Sequence, residues 1–108
     1  MTPNFKKPKQ AKDPAYLAAV RGLPCCVCER FGLVQTSQTT AHHTKCGRHS
    51  QAKTPDREAI PLCDCHHQGL RHDRDRSKIA FESEMKRWVA AYGMDTSYID
   101  ATRERIET

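Results

Sequence analysis

Between Cys63 and His72 the chain carries two cysteines and three histidines within ten residues. Thiolate and imidazole are the ligand types that zinc takes up in structural sites. Upstream, Cys25 and Cys28 have the C-x2-C spacing at which a tight turn aims two thiolates at one ion. Cys63 and His66 then supply a C-x2-H pair 35 residues further on. The four together describe a closed Cys3His site, structural in kind, with Cys65 open as an alternative to His66. A site of this sort contributes much of a small domain's folding free energy. It leaves His42, His43, His67 and His72 unassigned. A histidine pair ending a strand, facing histidines at a helix start, can hold a divalent ion with positions left open. An imidazole outside that ion's shell is free to act as a general base near neutral pH. Cys46 and His49 form a further C-x2-H pair, which needs Cys65 or Cys26 to complete a second zinc site.

The elements that must position these groups are short. Asp13-Pro14 starts a helix, with Asp as N-cap and Pro at its first position, and Gly22 ends it. Leu33-Val34 and Thr36 to Thr40 read as two short strands, the second running into Ala41-His42-His43. Ala59 to Leu62 is a short apolar strand or turn that delivers Cys63. Residues 44–57 lack periodicity and carry net charge +3, so Lys45, Arg48, Lys53 and Arg57 can track a phosphate backbone. From Ser77 to Tyr92 apolar residues recur at three- and four-residue steps, predicting a helix that Gly93 stops. A last helix is expected from about Ser97 to Arg105, opened by the box Ser97-x-x-Asp100.

A chain of 108 residues with 37% hydrophobic residues can build one modest core. Six cysteines beside six histidines, with no apolar leader ahead of them, point to metal rather than to disulfides. No run is long enough to span a membrane, and a cytoplasmic location is expected. Net charge is +5, and residues 1–12 hold four lysines without an acid, which reads as a disordered basic arm. Residues 13–108 form the single domain, its metal core about 24–76 and its helical part 77–108. The basic half makes a polyanion the expected partner. The expected class is therefore a small zinc-stabilised α+β domain.

Ala41-His42-His43, the basic loop with Asp56, and Pro61-Leu62-Cys63-x-x-His66-His67 with a following histidine resemble the HNH (ββα-metal) endonucleases. Tyr16 to Cys25 and Phe81-Glu82 to Tyr92-Gly93 are similar to the phage-borne branch related to the RecA-dependent recombination-enhancement nuclease. The resemblance covers roughly residues 14–93. It implies a β-hairpin and helix of treble-clef-like form with a catalytic metal between them and further helices on the flanks. It implies His43 as general base for hydrolysis of a DNA phosphodiester. It also implies His42, His67 and His72 as ligands of Mg2+ or another divalent ion. A role in phage recombination or DNA processing in a bacterial host, with a RecA-type filament as further partner, comes with it. Two features depart from the family pattern. The Asn that orients the general base has no counterpart, Asp56 and Glu58 being the nearby acids, and the step from His67 to His72 is one residue longer than in many members. The competing expectation is a non-catalytic zinc module that binds nucleic acid or a protein. It has no use for four surplus histidines.

Overall fold

A computed structural model describes residues 12–47 and 54–107. The basic arm, apart from Lys12, lies outside these residues, as do Arg48, His49 and Lys53. Helix α1 (Pro14–Arg21) forms as its sequence predicts. Asp13 caps it by accepting from the Tyr16 amide at 3.1 Å, and Tyr16 and Val20 are its buried face. Helix α2 (Cys26–Arg30) starts directly after Cys25, so the C-x2-C turn is the first turn of a helix. The strands β1 (Thr39–His43) and β2 (Ala59–Cys63) pair antiparallel, with Thr39 opposite Cys63 and His43 opposite Ala59. Leu33 and Val34 form no strand; both are exposed.

Strand β2 is buried along its whole length, which its run Ala-Ile-Pro-Leu-Cys requires. Pro61 fits there because the sheet has only two strands, so β2 keeps an edge that lacks a ladder. A 3-10 turn (Asp64–His66) follows β2 at once. Helix α3 (Met85–Tyr92) is half as long as the periodicity predicts. Residues 80–82 are instead drawn against the 3-10 turn: Phe81 donates its amide to the His66 carbonyl at 3.0 Å, and Glu82 to that of His67 at 2.9 Å. The Trp88 indole also donates to the His66 carbonyl, at 3.0 Å. Gly93, at φ 88°, ends α3 in a conformation that suits glycine. A further 3-10 turn (Asp95–Tyr98) leads into α4 (Ile99–Glu107), two residues beyond the predicted start.

The core joins Val27, Ile60, Leu62, Phe81, Trp88, Tyr98 and Ile99 to the buried Cys25, Cys28, Cys46, Cys63 and Cys65. Small α+β architecture, with a two-stranded antiparallel pair and helices around it, is therefore as expected. Among the described residues no helix is long and apolar enough to cross a membrane.

Candidate metal centres

Four side chains converge where α2 begins and β2 ends. Cys25, Cys28, Cys63 and His66 are all buried, and their ligand atoms lie within 4.8 Å of one another. His66 Nδ1 stands 3.5 Å from the sulfurs of Cys25 and Cys28 and 3.4 Å from that of Cys63; Cys28 and Cys63 sulfurs are 3.9 Å apart. With metal bonds of about 2.3 Å to sulfur and about 2.0 Å to nitrogen, a tetrahedral zinc shell puts S···N neighbours about 3.5 Å apart and S···S about 3.8 Å. The two sets agree, and the cluster could hold a metal ion such as zinc. The Cys63 thiol is pushed up to about 11 by its contact with Cys25 and by burial, while the same contact pulls the Cys25 thiol down. Of the two candidates for fourth ligand, His66 is in the cluster. Cys65 points elsewhere, with its sulfur 3.4 Å from the Ser37 hydroxyl.

A second group forms around the end of β1. Ligand atoms of His42, His67 and Glu82 also lie within 4.8 Å of one another. His42 is fully buried, and its Nε2 lies 2.7 Å from an oxygen of the buried Asp95 carboxylate. A carboxylate can only accept, so in the neutral ring Nε2 carries the proton and Nδ1 the lone pair. That Nδ1 has no hydrogen-bond partner among the described residues and stands 3.9 Å from Glu82. His67 obeys the same logic. The Thr40 hydroxyl donates to the Leu62 carbonyl at 2.8 Å, so it accepts from His67 Nδ1 at 2.7 Å. The lone pair of His67 is then on Nε2, 3.7 Å from Glu82. Two separate acceptors thus set two tautomers, and both free lone pairs face the same carboxylate. Burial, with a smaller contribution from His42, pushes His67 down to about 4, so protons compete for its lone pair only in acid.

His72, the third ligand implied by the resemblance, does not join this group; it is exposed in a turn. No helix follows His67. Gly69 takes φ 62° with Ala80 so close that a Cβ would sit 3.0 Å from it, and the Asp64 carboxylate accepts the amides of Leu70 and Arg71. The chain turns away there and returns through residues 80–82, which brings Glu82 to the place given to His72. Sequence reasoning missed Glu82, although it stands in the quoted Phe81-Glu82 pair. It also missed Asp95, which no motif of the sequence marks.

His43 alternates with His42 along β1 and is only partly buried. Its Nε2 lies 2.9 Å from Asp56, whose other oxygen accepts the Asp13 amide at 2.7 Å. These contacts, the Asp13 amide first, hold the Asp56 carboxyl below its ordinary range. By the same accounting, His43 Nδ1 carries a lone pair that can take a proton. Of the two acids the sequence offered, Asp56 meets the histidine. Lys45 grips Glu82, and Arg57 pairs with Asp13 and Glu107 while lying over the Tyr16 ring. Cys46 is buried with its amide on Asp95 and belongs to neither metal group; its expected partner His49 lies outside the described residues.

Asp95 collects His42 Nε2, the Lys45 amide at 2.7 Å and the Cys46 amide at 3.0 Å. Burial pushes its pKa up, but these donors overcome burial and bring it to about 2. A depressed carboxyl adds stability above its unfolded pKa of about 3.9 that is lost as pH falls through the folded value. Asp95→Asn is therefore expected to cost about 2–3 kcal/mol at pH 7. In urea titrations the gap between variant and wild type should narrow from pH 4 toward pH 2. A gap independent of pH would mean the carboxylate charge is not what holds this corner.

A family model described as "Protein of unknown function (DUF968)" matches residues 2–103. No curated protein and no solved structure matches the chain.

Proposed function

We propose that this chain, which belongs to the DUF968 family, is a metal-dependent endonuclease of the HNH (ββα-metal) kind, stapled by a structural zinc. The observation that carries the reading is the pair of fixed tautomers on His42 and His67. Each ring donates its far N–H to a protein acceptor and turns its lone pair toward Glu82. A fold that needed these histidines only for packing would not leave His42 Nδ1 buried and unpartnered. Two imidazoles and one carboxylate suit a divalent ion such as Mg2+ or Mn2+ with open positions for a phosphate oxygen and water. The Cys3His cluster leaves no open position and takes the structural role.

His42, His67 and Glu82 would hold the catalytic ion, with Asp95 and Thr40 orienting the two imidazoles. Such an ion supplies Lewis-acid stabilisation of the phosphate and the leaving oxygen. His43 would take the proton of the attacking water on Nδ1, and the imidazolium so formed is stabilised through Nε2 by Asp56. Asp56 thus does the orienting work for which the family pattern uses Asn. DNA is the proposed substrate, with a RecA-type filament as a candidate partner.

Glu82→Gln tests the site. Divalent-ion affinity, measured by calorimetry on zinc-loaded protein, should fall by about 10-fold or more, and plasmid cleavage with it. Zinc content and thermal midpoint should be unchanged. Intact cleavage by this variant would remove Glu82 from the site. Retained DNA binding with no cleavage by wild type under any divalent ion would favour a non-catalytic zinc module.

A further inference from the structure

Lys45 lies two residues beyond β1, and its ammonium contacts both oxygens of Glu82, at 2.9 and 2.8 Å. On the reading above, Glu82 is a metal ligand, so one carboxylate has two cationic claimants. A divalent ion and an ammonium within a few ångströms of each other repel, and the divalent ion also has His42 and His67. Lys45 is the one that can leave, because its side chain is 53% exposed. Its backbone cannot, because its amide is fixed on the buried Asp95. Release therefore swings the stem about a fixed point at the edge of the site.

We propose that Lys45 is a displaceable counter-cation that holds Glu82 until a divalent ion takes the carboxylate, and then binds a non-bridging oxygen of the substrate phosphodiester. The charges favour that exchange. Glu82 and Lys45 together are neutral; entry of a divalent ion leaves two excess positive charges, and a phosphodiester anion offsets part of them. The proposal rests on the metal-site reading and extends it by naming the residue that couples metal entry to phosphate binding.

The test uses the full zinc-loaded chain as wild type, Lys45→Met and Glu82→Gln. Mn2+ is titrated by calorimetry, and binding of a single-stranded oligonucleotide is followed against salt with Mn2+ present. Met keeps the apolar stem and removes the charge. Freed of its competitor, Lys45→Met should bind Mn2+ about two- to five-fold more tightly, the range set by a partly exposed ion pair. Its oligonucleotide affinity in Mn2+ should fall, and the slope of log affinity against log salt should drop by about one. Unchanged or weaker Mn2+ binding in Lys45→Met, while Glu82→Gln loses it, would overturn the counter-cation role and leave the metal site standing. Tighter Mn2+ binding with an unchanged salt slope would overturn the phosphate role. Absence of Mn2+ binding in wild type would overturn the metal-site reading itself, and this proposal with it.

Discussion

Cys28→Ser is expected to abolish zinc binding and unfold the domain. The Cys3His cluster joins the start of α2, the end of β2 and the following turn, all inside the core. Apparent zinc binding in small domains is about 10–16 kcal/mol, against a typical domain stability of about 5–15 kcal/mol. Losing one thiolate removes most of that linkage from a chain whose core is modest. Zinc per chain and the far-ultraviolet circular dichroism of the purified variant read the outcome, and chelation of wild type should reproduce it. Cys65→Ser provides the contrast. Its sulfur lies against the hydroxyls of Ser37 and Thr36 and outside the Cys3His cluster, so zinc should be retained. A zinc-free Cys28→Ser protein with a cooperative transition near that of wild type would contradict the structural role.

The second large effect is on chemistry. His43→Ala should lower the rate of phosphodiester cleavage by about 10²–10⁴-fold, the usual contribution of a positioned general base. Its stability should change little. The His43 side chain is 33% exposed, and its pairing with Asp56 is of the partly solvated kind that contributes at most about 1 kcal/mol. The Cys3His cluster does not include it. Single-turnover cleavage rates beside melting curves separate the two effects. Full activity would dismiss His43 as base, and a large fall in melting temperature would make it a structural histidine.

The groups that sequence reading located are those whose spacing is local. Asp13-Pro14 and the following apolar steps specify α1, and C-x2-C with C-x2-H specifies the Cys3His cluster that could hold a metal ion, because a short turn decides both. The adjacent pair His42-His43 was visible as well, and strand alternation sends the two rings to different duties. Glu82 was not legible as a member of the second group. It reaches His67 through a backbone hydrogen bond across 15 residues, and the periodicity around it argued for a helix that begins only at Met85. Pairing of residues 80–82 with the 3-10 turn, and the Trp88 indole on the same His66 carbonyl, outweigh that local preference. His72 failed for the converse reason: its assignment assumed regular geometry after His67, where Gly69 turns the chain away. Asp95 is a non-local partner too, 53 residues from the imidazole it orients.

The central claim is that the His42, His67 and Glu82 group makes this chain a metal-dependent nuclease, and nicking of supercoiled plasmid tests it most directly. Zinc-loaded wild-type protein should convert supercoiled to open-circular DNA with Mg2+ or Mn2+. It should do nothing in excess chelator too weak to strip the zinc, and the His43→Ala protein should be inert beside it. Cleavage indifferent to added divalent ion, or none by folded wild type on duplex, single-stranded or RecA-coated DNA, would contradict the account.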